Sequence, residues 1–271
     1  MTKENLGSQA PPAPAKRARY ERDGDLGLIT IDDPPLNLFG RELTEAVTAA
    51  LDAAAADSPR ALIVRAEGSV FTGGADVNVF AGLSEAEARD FTGDLMKITH
   101  KVEDLPFPTV AVVHGLCLTA GFELSLACDM IWAAESAQFG LVEIVVGLTP
   151  LMGGTQRVAE RAGPARAREL VMSGGLYTAE TLERWNVVNR VLPDADLAEK
   201  ATRFGHRLAG GPTVANSATK RIVRAQTDEG TRGADARTAE FGAPLFETED
   251  LKEAVETFLS EGPGKASFRG R

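Results

Sequence analysis

The chain has 271 residues, 44% of them hydrophobic and 25% charged, the proportions of a water-soluble globular protein with room for one large domain or for a domain plus an appendage. With 39 acidic against 29 basic residues its formal net charge is −10, which works against non-specific binding to nucleic acid or to an anionic membrane. Its two cysteines, Cys117 and Cys128, both lie in apolar sequence; they are too few for a disulfide framework or a zinc site, and a reducing cytoplasm suits them best.

The start, "MTKENLGSQAPPAPAKRARY", has no apolar signal region, and no stretch reaches the roughly 18 uncharged apolar residues of a spanning helix, so neither export nor a membrane anchor is expected. Residues 1–16, with Pro11, Pro12 and Pro14, are expected to form a disordered tail. From there "RYERD" and "LGLITID" predict two strands joined at Gly24, and the prolines of "DPPLNLFG" end the second. In "RELTEAVTAALDAAAAD" the set Leu43, Val47, Ala50, Leu51 and Ala54 has helical spacing, and "ALIVRAE" is a continuous apolar strand of the kind found in covered sheets.

The alternation repeats. Ser84 and Glu87 stand at capping-box spacing at the head of "SEAEARDFTGDLMKITHKVED", with Phe91, Leu95, Ile98 and Val102 on one face. "TVAVVHG" is the next strand, a helix follows from about Thr119 to Ala127, and "MIWAAE" is a further strand. Strands separated by helices imply a largely parallel α/β core, placed at residues 17–205. Beyond residue 150 helices dominate, broken by "VVNRVLP", and a C-terminal helical region is expected over 206–271. There Leu251, Val255, Phe258 and Leu259 form an apolar stripe that needs a covering surface.

The chain contains no G-x-S-x-G, no G-x-x-x-x-G-K-[ST], no G-x-G-x-x-G and no H-E-x-x-H, which removes the usual serine-hydrolase, nucleotide and zinc-protease chemistries. His100, His114 and His206 are scattered, so no metal site is expected. Three other places carry chemistry. "FTGGAD", residues 71–76, follows a strand, and Gly73 and Gly74 allow a tight turn that leaves amide N–H groups outside any ladder; its bland alternative is a surface turn. "TAGFE", residues 119–123, opens a helix, where free N–H groups and the positive dipole end favour negative charge. Two strand ends offering amides could make an oxyanion hole.

Glu123, the only charge of "GLCLTAGFELSLACD" before its closing Asp129, and Glu143, inside "FGLVEIVVGLTP", are each isolated in an apolar run. An ionised carboxylate buried without compensation costs several kcal/mol, roughly. A solvated edge is the alternative for either one alone. Two carboxylates held near one apolar pocket, their pKa values raised toward the working pH, are what general acid and general base work requires.

These motifs, in this order, resemble the crotonase superfamily, and within it the enoyl-CoA hydratases. "FTGGAD" is similar to the family's first oxyanion segment, "GLCLTAGFELSLACD" to its second, "FGLVEIVVGLTPLMGGTQR" to its second catalytic segment and "FRG" to its tail. The resemblance, from about Arg19 to the end, implies the crotonase fold, repeated ββα units in a spiral core with C-terminal helices that assemble trimers or hexamers. It implies that the N–H groups of Ala75 and Ala120 bind a thioester oxygen, with Gly73, Gly74, Asp76 and Gly121 shaping the substrate site. Glu123 would activate water for attack at C3, and Glu143 would deliver a proton to C2. Lys265 and Phe268 match tail residues that reach a CoA adenine, commonly a neighbouring subunit's.

The implied substrate is an acyl-CoA thioester, with coenzyme A a handle rather than a cofactor and with no metal. Two departures stand out: the family's Gly-Gly-Gly is Thr119, Ala120, Gly121 here, and "DPPLNLFG" lacks the basic residue some relatives place beside the CoA phosphates. A Δ3,Δ2-enoyl-CoA isomerase, which manages with one carboxylate, is the nearest alternative, and other acyl-CoA lyases or hydrolases keep similar motifs. A non-catalytic acyl-CoA scaffold or RNA-binding homologue is the alternative of another class.

Overall fold

The computed structural model describes residues 17–271; the tail expected over 1–16 lies outside the described residues. β1 (Ala18–Asp23) and β2 (Leu26–Ile31) form an antiparallel pair with Ala18 opposite Ile31, closed at Gly24, whose φ of +60° suits glycine. Every residue of β2 is buried. That burial fits its continuous apolar run, because a strand covered on both faces has no solvent side to alternate with.

α1 (Arg41–Asp57) returns the chain to β3 (Ala61–Ala66), parallel to β2, and α2 (Glu85–Glu103) returns it to β4 (Thr109–Val113), parallel to β3. The capping box forms as its spacing predicts: Ser84 Oγ accepts the Glu87 N–H and Glu87 accepts the Ser84 N–H. After β4 the chain makes β5 (Leu116–Leu118), α3 (Thr119–Ala127), β6 (Met130–Ala134) and β7 (Gln138–Gly140). Helices α4 (Gly154–Ala162) and α5 (Pro164–Ser173) precede β8 (Tyr177–Thr178), α6 (Ala179–Arg184) and β9 (Arg190–Leu192).

Two sheets result, one ordered β1-β2-β3-β4-β6-β9 and one ordered β5-β7-β8. Parallel bridges from Phe39 to Ala75 and from Thr72 to Cys117 continue the second sheet's ladder backward through the chain. Each turn of the chain therefore lays a strand in the large sheet and then a short segment along the small one. These are the repeated units of a spiral, and α3 runs through the middle of it with all nine residues buried.

α7 (Asp194–Ala209) packs on the large sheet, with Gly205 pressed against Ile63 and Leu26 and Phe204 stacked on Trp132 at 4.4 Å between ring centroids. The domain boundary expected at 205/206 falls inside this helix, because its amphipathic sequence reads the same whether it covers a sheet or another helix. α8 (Thr213–Gly242) breaks at Gly230 (φ +73°), and its second half folds back so that Arg221 and Arg237 flank Phe241. A short 3-10 turn leads to α9 (Glu249–Glu261). No described helix is long and apolar enough to cross a membrane.

Candidate active site

The site lies where segments leaving the carboxyl ends of β3 and β4 meet the start of α3. None of the amides of residues 73–76 is free, contrary to the expectation from composition. Gly73 donates to Leu36 O (2.7 Å), Gly74 to Thr72 Oγ1 (2.9 Å), Ala75 to Thr119 Oγ1 (2.7 Å) and Asp76 to Phe39 O (3.1 Å). The reason for the third bond is local: Gly74 turns at φ +105° and brings the segment so close to α3 that a Cβ on it would lie 2.5 Å from Thr119 Oγ1.

Ala120 stands in the first turn of α3, where amides have no intrahelical partner and the helix dipole favours an anion. The backbone conformation that a side chain disfavours falls one residue earlier, on Thr119, at φ +43°. Such a position costs a non-glycine residue about 1–3 kcal/mol. Gly121 packs on Thr72, whose Cγ2 would lie 1.9 Å from an added Cβ, so this glycine serves close approach. Asp76 is committed elsewhere: its carboxylate accepts from Asn78 N at 3.0 Å and caps the 3-10 helix Val77–Phe80.

Glu123 and Glu143 are both brought to this place. Glu123, 2% exposed, accepts two backbone N–H bonds at Oε1, from Met152 (2.8 Å) and Gly154 (2.9 Å). Burial, reinforced by the charge of Glu143, pushes its pKa up to about 8, against the pull of those two amides and of Arg157. Glu143 begins the 3-10 helix Glu143–Val146, and burial pushes its pKa up to about 7. Its Oε2 and the hydroxyl of Thr155 are the buried side-chain polar atoms left without a partner among the described residues. Glu123 is thus braced at one oxygen and within the electrostatic reach of Glu143, which keeps an unpartnered oxygen, and burial raises both carboxyls toward neutrality.

Sequence reasoning missed the brace. Arg157, on α4, donates to Met152 O (3.3 Å) and Gly153 O (3.1 Å) and makes a two-pronged pair with Glu103 (2.8 and 2.6 Å). It thus fixes the loop whose amides hold Glu123. The signal was present in "LMGGTQR": Gly153 sits at φ +94°, and a Cβ there would lie 1.8 Å from Arg157 Nη1. A cavity of about 680 Å³ between α8 and the core lies beyond this pair. Several of its lining charges are paired, as in Lys220 with Asp129 and Arg224 with Glu103, and neither Glu123 nor Glu143 lines it.

Lys265 is exposed and Phe268 half-buried. The last residues are held to α9, because Asp250 accepts the N–H groups of Arg269 (2.7 Å) and Gly270 (2.8 Å), and Gly270 lies beside Arg60 and Thr213. Arg60 precedes β3 and the site follows it, so the chain's own tail end lies at the opposite end of the sheet. Cys117 and Cys128 are free and buried, and burial pushes their thiols up.

The family model described as enoyl-CoA hydratase/isomerase matches residues 21–270. The chain belongs to this family. It is 33% identical over 251 residues to a Mycobacterium tuberculosis protein named "Probable enoyl-CoA hydratase", covering 89% of this chain and 94% of the relative. It is 31% identical over 259 residues to the crotonyl-CoA hydratase of Syntrophomonas wolfei, covering 92% and 96%. Among solved structures, an enoyl-CoA hydratase of Geobacillus kaustophilus superposes with a TM-score of 0.88 at 30% identity, covering 94% of this chain and 98% of the other. The protein thus has the crotonase fold and is an enzyme of the crotonase type.

Proposed function

We propose that this family member adds water to a trans-2-enoyl-CoA thioester to give a 3-hydroxyacyl-CoA. The observation that carries the proposal is the pair Glu123 and Glu143, both buried, both raised toward neutrality, beside the first-turn amides of α3. Polarising a thioester carbonyl draws electron density from the conjugated double bond onto oxygen. Each preorganised donor to such an oxyanion is worth about 3 kcal/mol. The donors here would come from around Ala75 and Ala120.

Water then attacks C3 while a proton enters C2. Glu123 takes the proton from water in the form of the pair whose single proton sits on Glu143, a form the Met152 and Gly154 amides favour against the burial that raises the Glu123 pKa. Glu143, with its unpartnered oxygen, gives one to C2. One proton is gained and one lost, so the pair is unchanged in total after turnover and titrates as a pair. Coenzyme A is the substrate's handle, and the residues supply the whole acid–base requirement.

The test is loss of the enoyl absorbance of crotonyl, octenoyl and branched enoyl-CoA esters, run beside isomerisation of a 3-enoyl-CoA. Hydration of at least one ester, faster than isomerisation, is expected. Isomerisation without hydration would transfer the site to the isomerase alternative, and binding without turnover of any thioester would make the protein a scaffold.

A further inference from the structure

Thr119 occupies a backbone position that disfavours it. At φ +43° a β-branched residue is an outlier where glycine is the ordinary occupant, and the triple glycine that this segment resembles has glycine there. The residue is buried, and its hydroxyl accepts the Ala75 N–H at 2.7 Å. The opposing wall is cut back to receive that hydroxyl, since any side chain at Gly74 would strike it.

An amide has a single proton to give. While Ala75 gives it to Thr119, a thioester oxygen cannot occupy the same place in line with that N–H. A hydroxyl, however, has a proton of its own, and no acceptor among the described residues takes the one on Thr119 Oγ1. Accepting from an amide also polarises an O–H and strengthens its donation.

The geometry points to Thr119 as a further catalytic residue, whose hydroxyl, held by the Ala75 amide, donates directly to the thioester oxygen beside the Ala120 amide. The inference rests on the proposed thioester chemistry and deepens it: the first oxyanion donor acts through a side chain. No proton is transferred in this step. The hydroxyl keeps its hydrogen and passes on the pull of the Ala75 dipole. In the competing arrangement the hydroxyl rotates away and the Ala75 amide donates directly, so that the threonine is dispensable.

The experiment compares the parent with Thr119→Ser, Thr119→Val and Thr119→Gly. One readout is the near-ultraviolet absorbance of enolised acetoacetyl-CoA bound to the protein, and the other is kcat for hydration of crotonyl-CoA. Serine keeps the hydroxyl and should stay within about threefold of the parent, while valine and glycine should lose the enolate band and about 10- to 100-fold in kcat, part of a full donor's worth. Glycine is the decisive variant because it relieves the strained φ and frees the Ala75 amide, so a folding defect cannot explain its loss. A Thr119→Gly protein as active as the parent, or more active, would overturn the assignment. A parent that enolises acetoacetyl-CoA but does not hydrate crotonyl-CoA would sink the hydratase proposal while the enolate band still decides the role of Thr119. A parent that does neither overturns both.

Discussion

Gly154 donates its backbone N–H to Oε1 of Glu123 at 2.9 Å, and a Cβ added to Gly154 would lie 2.8 Å from Cγ of the same glutamate. The glycine is thus both donor and spacer. Leu141 Cδ1, at 3.0 Å from that Cβ, closes the other side, so the added methyl has no free direction. Overpacking of this kind costs about 1–3 kcal/mol.

Gly154→Ala should therefore stay folded with a lowered urea midpoint and lose about 10²-fold in kcat, since a shift near 1 Å in a catalytic group is worth roughly that. Circular dichroism and the hydration assay check it together. Near-parent turnover would mean that the position of Glu123 is not critical.

The carboxylates make a sharper forecast. With pKa values pushed to about 8 and about 7, the pair holds one shared proton only in a narrow range around neutrality. The profile of kcat/KM against pH should be a narrow bell, falling on the acid side as both carboxyls protonate and on the alkaline side as both ionise. Glu123→Gln and Glu143→Gln should each lower kcat by about 10²- to 10⁴-fold and abolish the bell. Retention of isomerisation by Glu123→Gln, with Glu143→Gln inactive, would instead identify single-carboxylate chemistry.

Linkage gives a test that needs no substrate. The folded state binds the Glu123 proton more tightly than the unfolded chain, because burial raises that pKa from 4.5 to about 8. Between those values the native state carries more bound protons than the unfolded one, so stability falls as pH rises through that window. The neutral amide of Glu123→Gln escapes this loss and can still accept the Met152 and Gly154 N–H bonds. Its advantage in urea unfolding should grow from pH 5 to pH 9, by on the order of a few kcal/mol. An advantage that stays flat with pH would show that Glu123 is not held as a strained anion.

How much of this was legible in the sequence follows from the range of the interactions. The buried strands β2, β3 and β4 announce themselves as continuous apolar runs, and α2 as a capping box, because both signals are local. β5, β7 and β8 have two or three residues each, and only pairing with distant segments makes them strands. The same division holds in the site. Glu123 and Glu143 are visible because each is an isolated charge among apolar neighbours. The bonds that define their environment reach 29 and 31 residues along the chain to Met152 and Gly154, and the bond that occupies the Ala75 amide reaches 44 residues to Thr119. Of that last bond the sequence shows the unusual residue but not its partner.

The apolar stripe on α9 is also local, and the described residues leave much of it uncovered. Val255 is 48% exposed, Phe258 58% and Leu259 80%, although the helix is well anchored by its Thr248 cap and by the Asp250 bonds to Arg269 and Gly270. A fixed helix displaying three large apolar side chains at i, i+3 and i+4 is the kind of surface that subunit association covers. Family resemblance adds the expectation of a trimer, single or paired. Light scattering at micromolar concentration should therefore give three or six times the chain mass. Phe258→Glu combined with Leu259→Glu should shift the mass downward while leaving the helical circular dichroism of the core unchanged, because neither side chain is buried within its own subunit. A parent protein that is monomeric under these conditions would show that the stripe has another use, and a double variant that retains the parent's mass would place the subunit contact on a different face.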